Sequence, residues 1–222
     1  MAVLNPASVP LSLYIHMPWC VRKCPYCDFN SHAVPDGALS AELEQTYLKA
    51  LVADFETQVE MAQGRSIHSV FIGGGTPSLI SAKGYAWLFE QLKSLLNFED
   101  DCEITLEANP GTLEHDPFAG YLEAGINRLS IGVQTFNTDH LQKLGRIHSA
   151  NNAMDAIEQA RQAGFKRVNV DLMHGLPEQT LEQALYDLKT AVEQGATHIS
   201  WYQLTIEPNT VFFRTQPVLP QD

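Results

Sequence analysis

Cys20, Cys24 and Cys27 fall within eight residues of the stretch Tyr14-Ile-His-Met-Pro-Trp-Cys-Val-Arg-Lys-Cys-Pro-Tyr-Cys-Asp-Phe29, directly after a strand-like run. No fourth cysteine accompanies them. A four-iron cluster takes one thiolate per iron, so three cysteines on one loop leave one iron open to a ligand that is not protein. Two other chemistries compete. Structural zinc usually takes four protein ligands, commonly as two well-separated pairs. His16 and His32 are near enough in sequence to complete such a cage, but no partner pair follows downstream. A redox pair would use Cys24 and Cys27 alone and leave Cys20 without a role. Cys102 lies far away in an alternating apolar run and reads as a small buried hydrophobe. The spacing favours the cluster over both alternatives.

The elements that must position this loop alternate regularly. Strand-like runs occur at 11–16, 67–72, 102–107, 128–133, 167–172 and 198–204. Helical segments occupy 42–61, 85–96, 118–124, 150–163 and 181–193. In the first of these, Leu43, Tyr47, Leu51, Phe55 and Val59 predict one apolar stripe. Gly125, Gly164 and Gly195 predict left-handed helix ends. Most strands alternate: Leu129, Ile131 and Val133 interleave with Arg128, Ser130, Gly132 and Gln134, and Val168, Val170 and Leu172 with Arg167, Asn169 and Asp171. One sheet face is therefore apolar and the other polar. Helical crossovers predict parallel pairing, and a curled sheet turns the polar face into a lumen able to hold a charged ligand. The expected fold is α/β, a partial six-stranded parallel barrel of the TIM-barrel type.

In such a barrel, ligands bind at the C-terminal strand ends. Tyr14, Gly73, Glu107, Gln134 and Asp171 should converge there, beside the cysteine loop. The run Gly73-Gly74-Gly75-Thr76-Pro77 follows the second strand and lacks side-chain bulk, so its backbone amides could approach a small polar group. A plain turn is the simpler reading of that run. Glu107 and Asp171 are ordinary carboxylates, and Arg146 an exposed helical residue, unless their joint placement gives them a function.

With 222 residues, 45% of them hydrophobic and 18% charged, the chain can bury a full core as one domain. The segment 1–10 has neither the basic start nor the apolar centre of a secretory signal, and no run reaches membrane-spanning length. A cytoplasmic location and no transmembrane segment are expected. Four cysteines fit metal ligation better than a disulfide framework there. The net charge of −12 argues against nucleic-acid binding.

The cysteine loop, Gly-Gly-Gly-Thr-Pro-Ser, Glu-Ala-Asn-Pro-Gly-Thr, Ser-Ile-Gly-Val-Gln-Thr-Phe, Leu-Gly-Arg-Ile-His and Asp-Leu-Met-His-Gly-Leu-Pro occur in this order. In these blocks the chain resembles the radical S-adenosylmethionine (SAM) superfamily, in the branch of oxygen-independent coproporphyrinogen III oxidases and heme chaperones. The resemblance implies a [4Fe-4S] cluster on Cys20, Cys24 and Cys27, with SAM chelating the fourth iron. It also implies SAM contacts from Tyr14, Tyr26, Gly74, Gly75, Thr76, Glu107, Gln134, Arg146 and Asp171. In that assignment Arg146 meets a carboxylate bidentately, while the glycine-run amides and Thr76 meet the amino-acid end.

The oxidases of this branch carry a further cysteine two residues after the third ligand, where this chain has Phe29. That departure favours the chaperones, with heme or porphyrin as ligand, hemoproteins as recipients and an electron donor as partner. A porphyrinogen-oxidising radical enzyme is the alternative, and whether there is turnover stays open. No heme ligand is singled out among His16, His32, His148 and His174. The expected organisation is an N-terminal extension over 1–10, the radical SAM partial barrel over 11–206, and over 207–222 the start of a linker to a further domain.

Overall fold

The computed structural model describes residues 5, 8–34, 38–111 and 115–220. Six strands, β1 (Leu11–Met17), β4 (Ile67–Gly74), β5 (Phe98–Ala108), β6 (Arg128–Gln134), β7 (Val168–His174) and β8 (His198–Gln203), form one parallel sheet in that order. A separate two-stranded sheet pairs β2 (Trp19–Cys20) with β3 (His32–Ala33). The crossovers are α1 (Ala41–Gln58), α2 (Ala82–Leu95), α3 (Phe118–Glu123), α4 (Thr138–Lys143) with α5 (Ala150–Gln162), and α6 (Leu181–Glu193). The parallel α/β architecture agrees with the expectation from strand alternation. The N-terminal extension lies largely outside the described residues. Among those described, no helix is long and apolar enough to cross a membrane.

Local chemistry sets the helix ends. Ser40, Ser81, Ser149 and Thr180 accept backbone amides of the first turn, and Ser149 and Thr180 form full capping boxes with Asn152 and Gln183. At the other end, Gly125, Gly164 and Gly195 all have positive φ. The amides of Ile126, Phe165 and Ala196 reach back to the carbonyls of Tyr121, Ala160 and Ala191, which closes each helix as the glycines predict. Of the expected α1 stripe, Phe55 is buried and Tyr47, Leu51 and Val59 pack partly buried against the core, while Leu43 departs. Leu43 is 40% exposed, whereas Leu48, outside the stripe, is buried. Strict four-residue steps advance about 40° per step around a helix of 3.6 residues per turn, so such a stripe rotates away from the core. The helix also ends at Gln58 and continues to Ala62 only as a 3-10 turn.

The core joins the apolar sheet face, including Ile72, Leu106, Ile131 and Val170, to Leu48, Tyr85, Leu88 and Ile157 of the helices. Cys102 is buried here, as a hydrophobe should be. On the opposite face Thr105, Ser130 and Asn169 are also buried, because the sheet curls around its polar side. Asn169 Nδ2 lies within hydrogen-bond reach of Ser130 Oγ, Asp171 Oδ1 and Ser200 Oγ, so this interior layer is hydrogen-bonded. The strands β1 and β8 end the sheet and do not pair with each other, leaving a partial barrel.

Residues from 207 onward, expected as a linker, include α7 (Val211–Thr215), capped by Thr210. This helix turns back to the cysteine loop: Phe212 N donates to Pro25 O at 2.9 Å, and the Phe212 ring lies 6.3 Å from that of Tyr26. Phe212 joins Leu144, Met173, Leu176 and Leu204 in a second apolar cluster. Residues 221–222 lie outside the described part.

Two buried tyrosines hold the loop after β4. Tyr85 OH donates to Pro77 O, and Tyr121 OH lies within hydrogen-bond reach of Ser78 O and Ile80 O. Tyr121→Phe should cost about 1–3 kcal/mol, since it removes a buried donor from these carbonyls. Urea unfolding measures this; a loss below about 0.5 kcal/mol, the scatter of an ordinary surface change, would contradict it.

Candidate functional site

The cysteine loop is a closed excursion. Its stem is the β2–β3 pair, and backbone bonds from His32 N to Pro18 O and Val34 N to Cys20 O tie its ends together. Inside it, Cys27 N donates to Cys24 O, and the Lys23 ammonium donates to the carbonyls of Phe29 and Ser31. Other segments hold it from outside. Gly75 N donates to Met17 O and Thr76 N to Trp19 O, both at 2.6 Å. A Cβ on Gly75 would stand 2.4 Å from Trp19 O, and one on Gly145 2.7 Å from the Pro25 ring. The glycine run therefore serves first to let two loops touch. Its amides, expected to face a ligand, are already bonded within the protein, Gly74 N to Glu107 Oε2 at 3.2 Å.

Beside the loop lies a cavity of about 430 Å³, within the size range of small-molecule sites. Its wall brings together Cys20, Cys24, Tyr26, Cys27, Gly74, Gly75, Thr76, Glu107, Gln134, Arg146 and Asp171. Tyr14 and Gly73 are not in this wall. Tyr14 sits mid-strand on β1 and is 56% exposed, its hydroxyl on His16 Nδ1 and its ring stacked on Phe71. Gly73 is buried, and a Cβ there would meet Phe71 and Glu107.

Gln134 reaches the wall through a backbone irregularity. Its φ is +68°, and the register of β6 on β7 shifts between Gly132 and Gln134. The turn that follows is held by Asp187 of α6, which is fully buried and accepts Phe136 N at 2.7 Å. Nothing in the local sequence marks Asp187, because the contact spans 51 residues.

Arg146 lies between α4 and α5 rather than on a helix, and it is half-buried. Its Nη1 reaches Cys24 Sγ at 3.5 Å, while Nη2 donates to Asn109 Oδ1 and to Gly132 O. Nε is buried without a hydrogen-bond partner. The bidentate fork expected for a carboxylate is thus partly occupied by protein. Asn109 is a wall residue that sequence reasoning passed over, although it directly follows β5 and lies two positions after Glu107.

Electrostatics distinguish the carboxylates. Burial, aided by the nearby Asp171, pushes Glu107 from 4.5 up to about 7, against the Gly74 hydrogen bond. Burial also raises Asp171, though Ser130, Asn169 and Ser200 hydrogen-bond to it and oppose the shift. Neither has an ion-pair partner in the cavity among the described residues. Burial raises the Cys27 thiol and the Tyr26 hydroxyl as well.

Among the described residues, no three His, Cys, Asp or Glu side chains gather closely enough to hold a single metal ion. A cubane needs a different arrangement, one thiolate at each of several corners. Of the histidines considered for zinc or heme, His16 has both ring nitrogens hydrogen-bonded, to Tyr14 OH and Asn30 O. His148 bonds Val133 O, with burial and Arg146 lowering it to about 4. His174 packs on Trp201, and His32 is exposed on β3.

Comparison with known proteins gives a consistent grouping. The family model described as the Radical SAM superfamily matches residues 14–191. A protein of Haemophilus influenzae named heme chaperone HemW is 56% identical over 217 residues, 98% of this chain and 57% of that protein. The Escherichia coli protein of the same name is 53% identical, covering 96% of this chain and 55% of its own. The chain thus spans little more than half the length of these relatives. Among solved structures, coproporphyrinogen III oxidase (HemN) of Escherichia coli, described as a radical SAM enzyme, aligns with a TM-score of 0.83. It is 29% identical and covers 98% of this chain and 50% of its own.

Because the folded Glu107 carboxyl is raised above its unfolded value, the folded chain holds the extra proton between about pH 4.5 and 7. Its contribution to stability is complete below the lower value and is lost as pH rises through the upper one. Relative to Glu107→Gln, the metal-free chain should therefore lose stability from pH 5 to 8. Parallel urea-unfolding curves across that range would contradict this.

Proposed function

The chain belongs to the radical SAM superfamily, and from that premise we propose that it is the cluster-bearing part of a heme chaperone. The family works with a [4Fe-4S] cluster and SAM. When bound, the cluster supplies the electron for reductive cleavage of the sulfonium. The observation that carries the reading is the meeting of the cysteine loop with two half-buried carboxylates, both raised by burial, in one cavity.

The residues suit these groups. Cys20, Cys24 and Cys27 would hold three irons, and the raised Cys27 thiol gives up its proton as metal binds. A sulfonium cation in the cavity would offset the charge of Glu107 and Asp171 where low dielectric makes it costly. Thr76, Gln134 and Arg146 would supply hydrogen bonds for the polar parts of SAM, with Tyr26, Gly74 and Gly75 completing the wall. Tyr14 would have to act from the lumen below this wall.

Heme enters through the relatives named heme chaperone HemW, together with Phe29 in place of the oxidases' further cysteine. Phe29 is exposed at the cavity mouth, which suits contact with an apolar ring system. Recipient hemoproteins, an electron donor and a cytoplasmic location belong to the same proposal. The likeness to coproporphyrinogen III oxidase supports a second reading, radical oxidation of a porphyrinogen.

Anaerobic titration of the full chain with heme should give stoichiometric binding, and incubation with coproporphyrinogen III, SAM and reductant should give no decarboxylated product. Product formation would move the assignment to the oxidase; absence of heme binding would end the chaperone reading.

A further inference from the structure

Asn109 makes two hydrogen bonds in opposite directions. Its Oδ1 accepts from Arg146 Nη2 at 2.5 Å, and its Nδ2 donates to Thr76 Oγ1 at 3.1 Å. The orientation is dictated by chemistry: a guanidinium has donors only, so the amide oxygen must face it and the amide nitrogen must face the hydroxyl. One side chain at the end of β5 thereby joins the loop after β4 to the loop between α4 and α5. Gly132 leaves the space, since a Cβ there would stand 3.1 Å from Asn109 Oδ1 and 3.0 Å from Gln134 Nε2.

The consequence for the two partners is specific. Because Thr76 Oγ1 accepts from Asn109, its own hydrogen is free to be donated toward the cavity. Because Arg146 Nη2 is held by Asn109 and Gly132 O, with Nη1 at Cys24 Sγ, the long side chain of this wall residue is fixed. A free arginine side chain would lose much rotamer freedom on meeting a ligand, whereas one already held loses little.

We propose that Asn109 is a positioning residue for SAM: its amide presets the Thr76 hydroxyl and the Arg146 guanidinium as donors toward the anionic amino-acid end, with the guanidinium held against Cys24. The proposal rests on the reading of this cavity as a SAM site. Asparagine is required because aspartate accepts from Arg146 but has no donor for Thr76, and alanine does neither.

Calorimetric titration of the anaerobically reconstituted full chain with SAM tests this, alongside iron content, melting temperature and the cluster's paramagnetic resonance spectrum. Asn109→Ala should weaken SAM binding at least tenfold per loaded cluster, and Asn109→Asp should weaken it by less. The spectral change that SAM causes should shrink in the same order. Equal affinity in the parent and N109A would overturn the proposal. So would lower iron content and melting temperature with unchanged affinity per loaded cluster, the mark of a merely structural residue. If N109A does not fold, N109D decides, and parental affinity in that variant overturns the proposal. Failure of the parent itself to bind SAM would remove the underlying reading as well, and the parent curve alone reveals it.

Discussion

The site depends on a close approach of backbone to backbone. The cysteine loop has little regular structure of its own, so its shape comes from what it rests on. Gly75 allows the loop after β4 to reach the carbonyls of Met17 and Trp19, where any side chain would collide. Gly145 allows a second segment to reach Pro25, and Phe212 N caps the carbonyl of the same proline. Three thiols can address different irons of one cluster only if the loop between them is held, and here the holding is done by separate parts of the chain.

A second constraint is electrostatic. The sheet curls its polar face inward, which buries Glu107 and Asp171 together. Asp171 is surrounded by hydroxyl and amide donors, while Glu107, among the described residues, receives the amide of Gly74. Among the described residues neither Glu107 nor Asp171 is in an ion pair, which suits their side of the cavity to a positively charged ligand. Arg146, a half-buried guanidinium of the wall, is directed at a cysteine and an amide. The site therefore has a cation-accepting side and a donor side, separated by the end of β5.

Much of this was legible before the structure. Alternating strands, helix-closing glycines and the cysteine spacing are local signals, and each reports a local cause: face alternation, a left-handed residue, the reach of one loop. The parallel α/β sheet follows from them. What was not legible arises from contacts between distant residues. Arg146 and Cys24 are 122 positions apart, and Arg146 and Asn109 are 37 apart. The donor pattern of Arg146 could not be read from either neighbourhood. The glycine run was read as a ligand cradle because glycine signals only that something comes close, not what comes close. Strict four-residue spacing in α1 included the exposed Leu43 and left out the buried Leu48, through the rotation of the helix. The return of α7 was missed because a five-residue helix is too short to show periodicity, although Thr210 offers its cap.

The central claim is that SAM ligates the iron left without a cysteine. Electron-nuclear double resonance on the reduced, reconstituted full chain, using SAM labelled with nitrogen-15 at its amino group, measures this directly. A hyperfine coupling to that nitrogen, together with about four irons per chain as a cubane requires, is the predicted result. A cluster spectrum unchanged by the labelled compound, or zinc in place of iron, would contradict it.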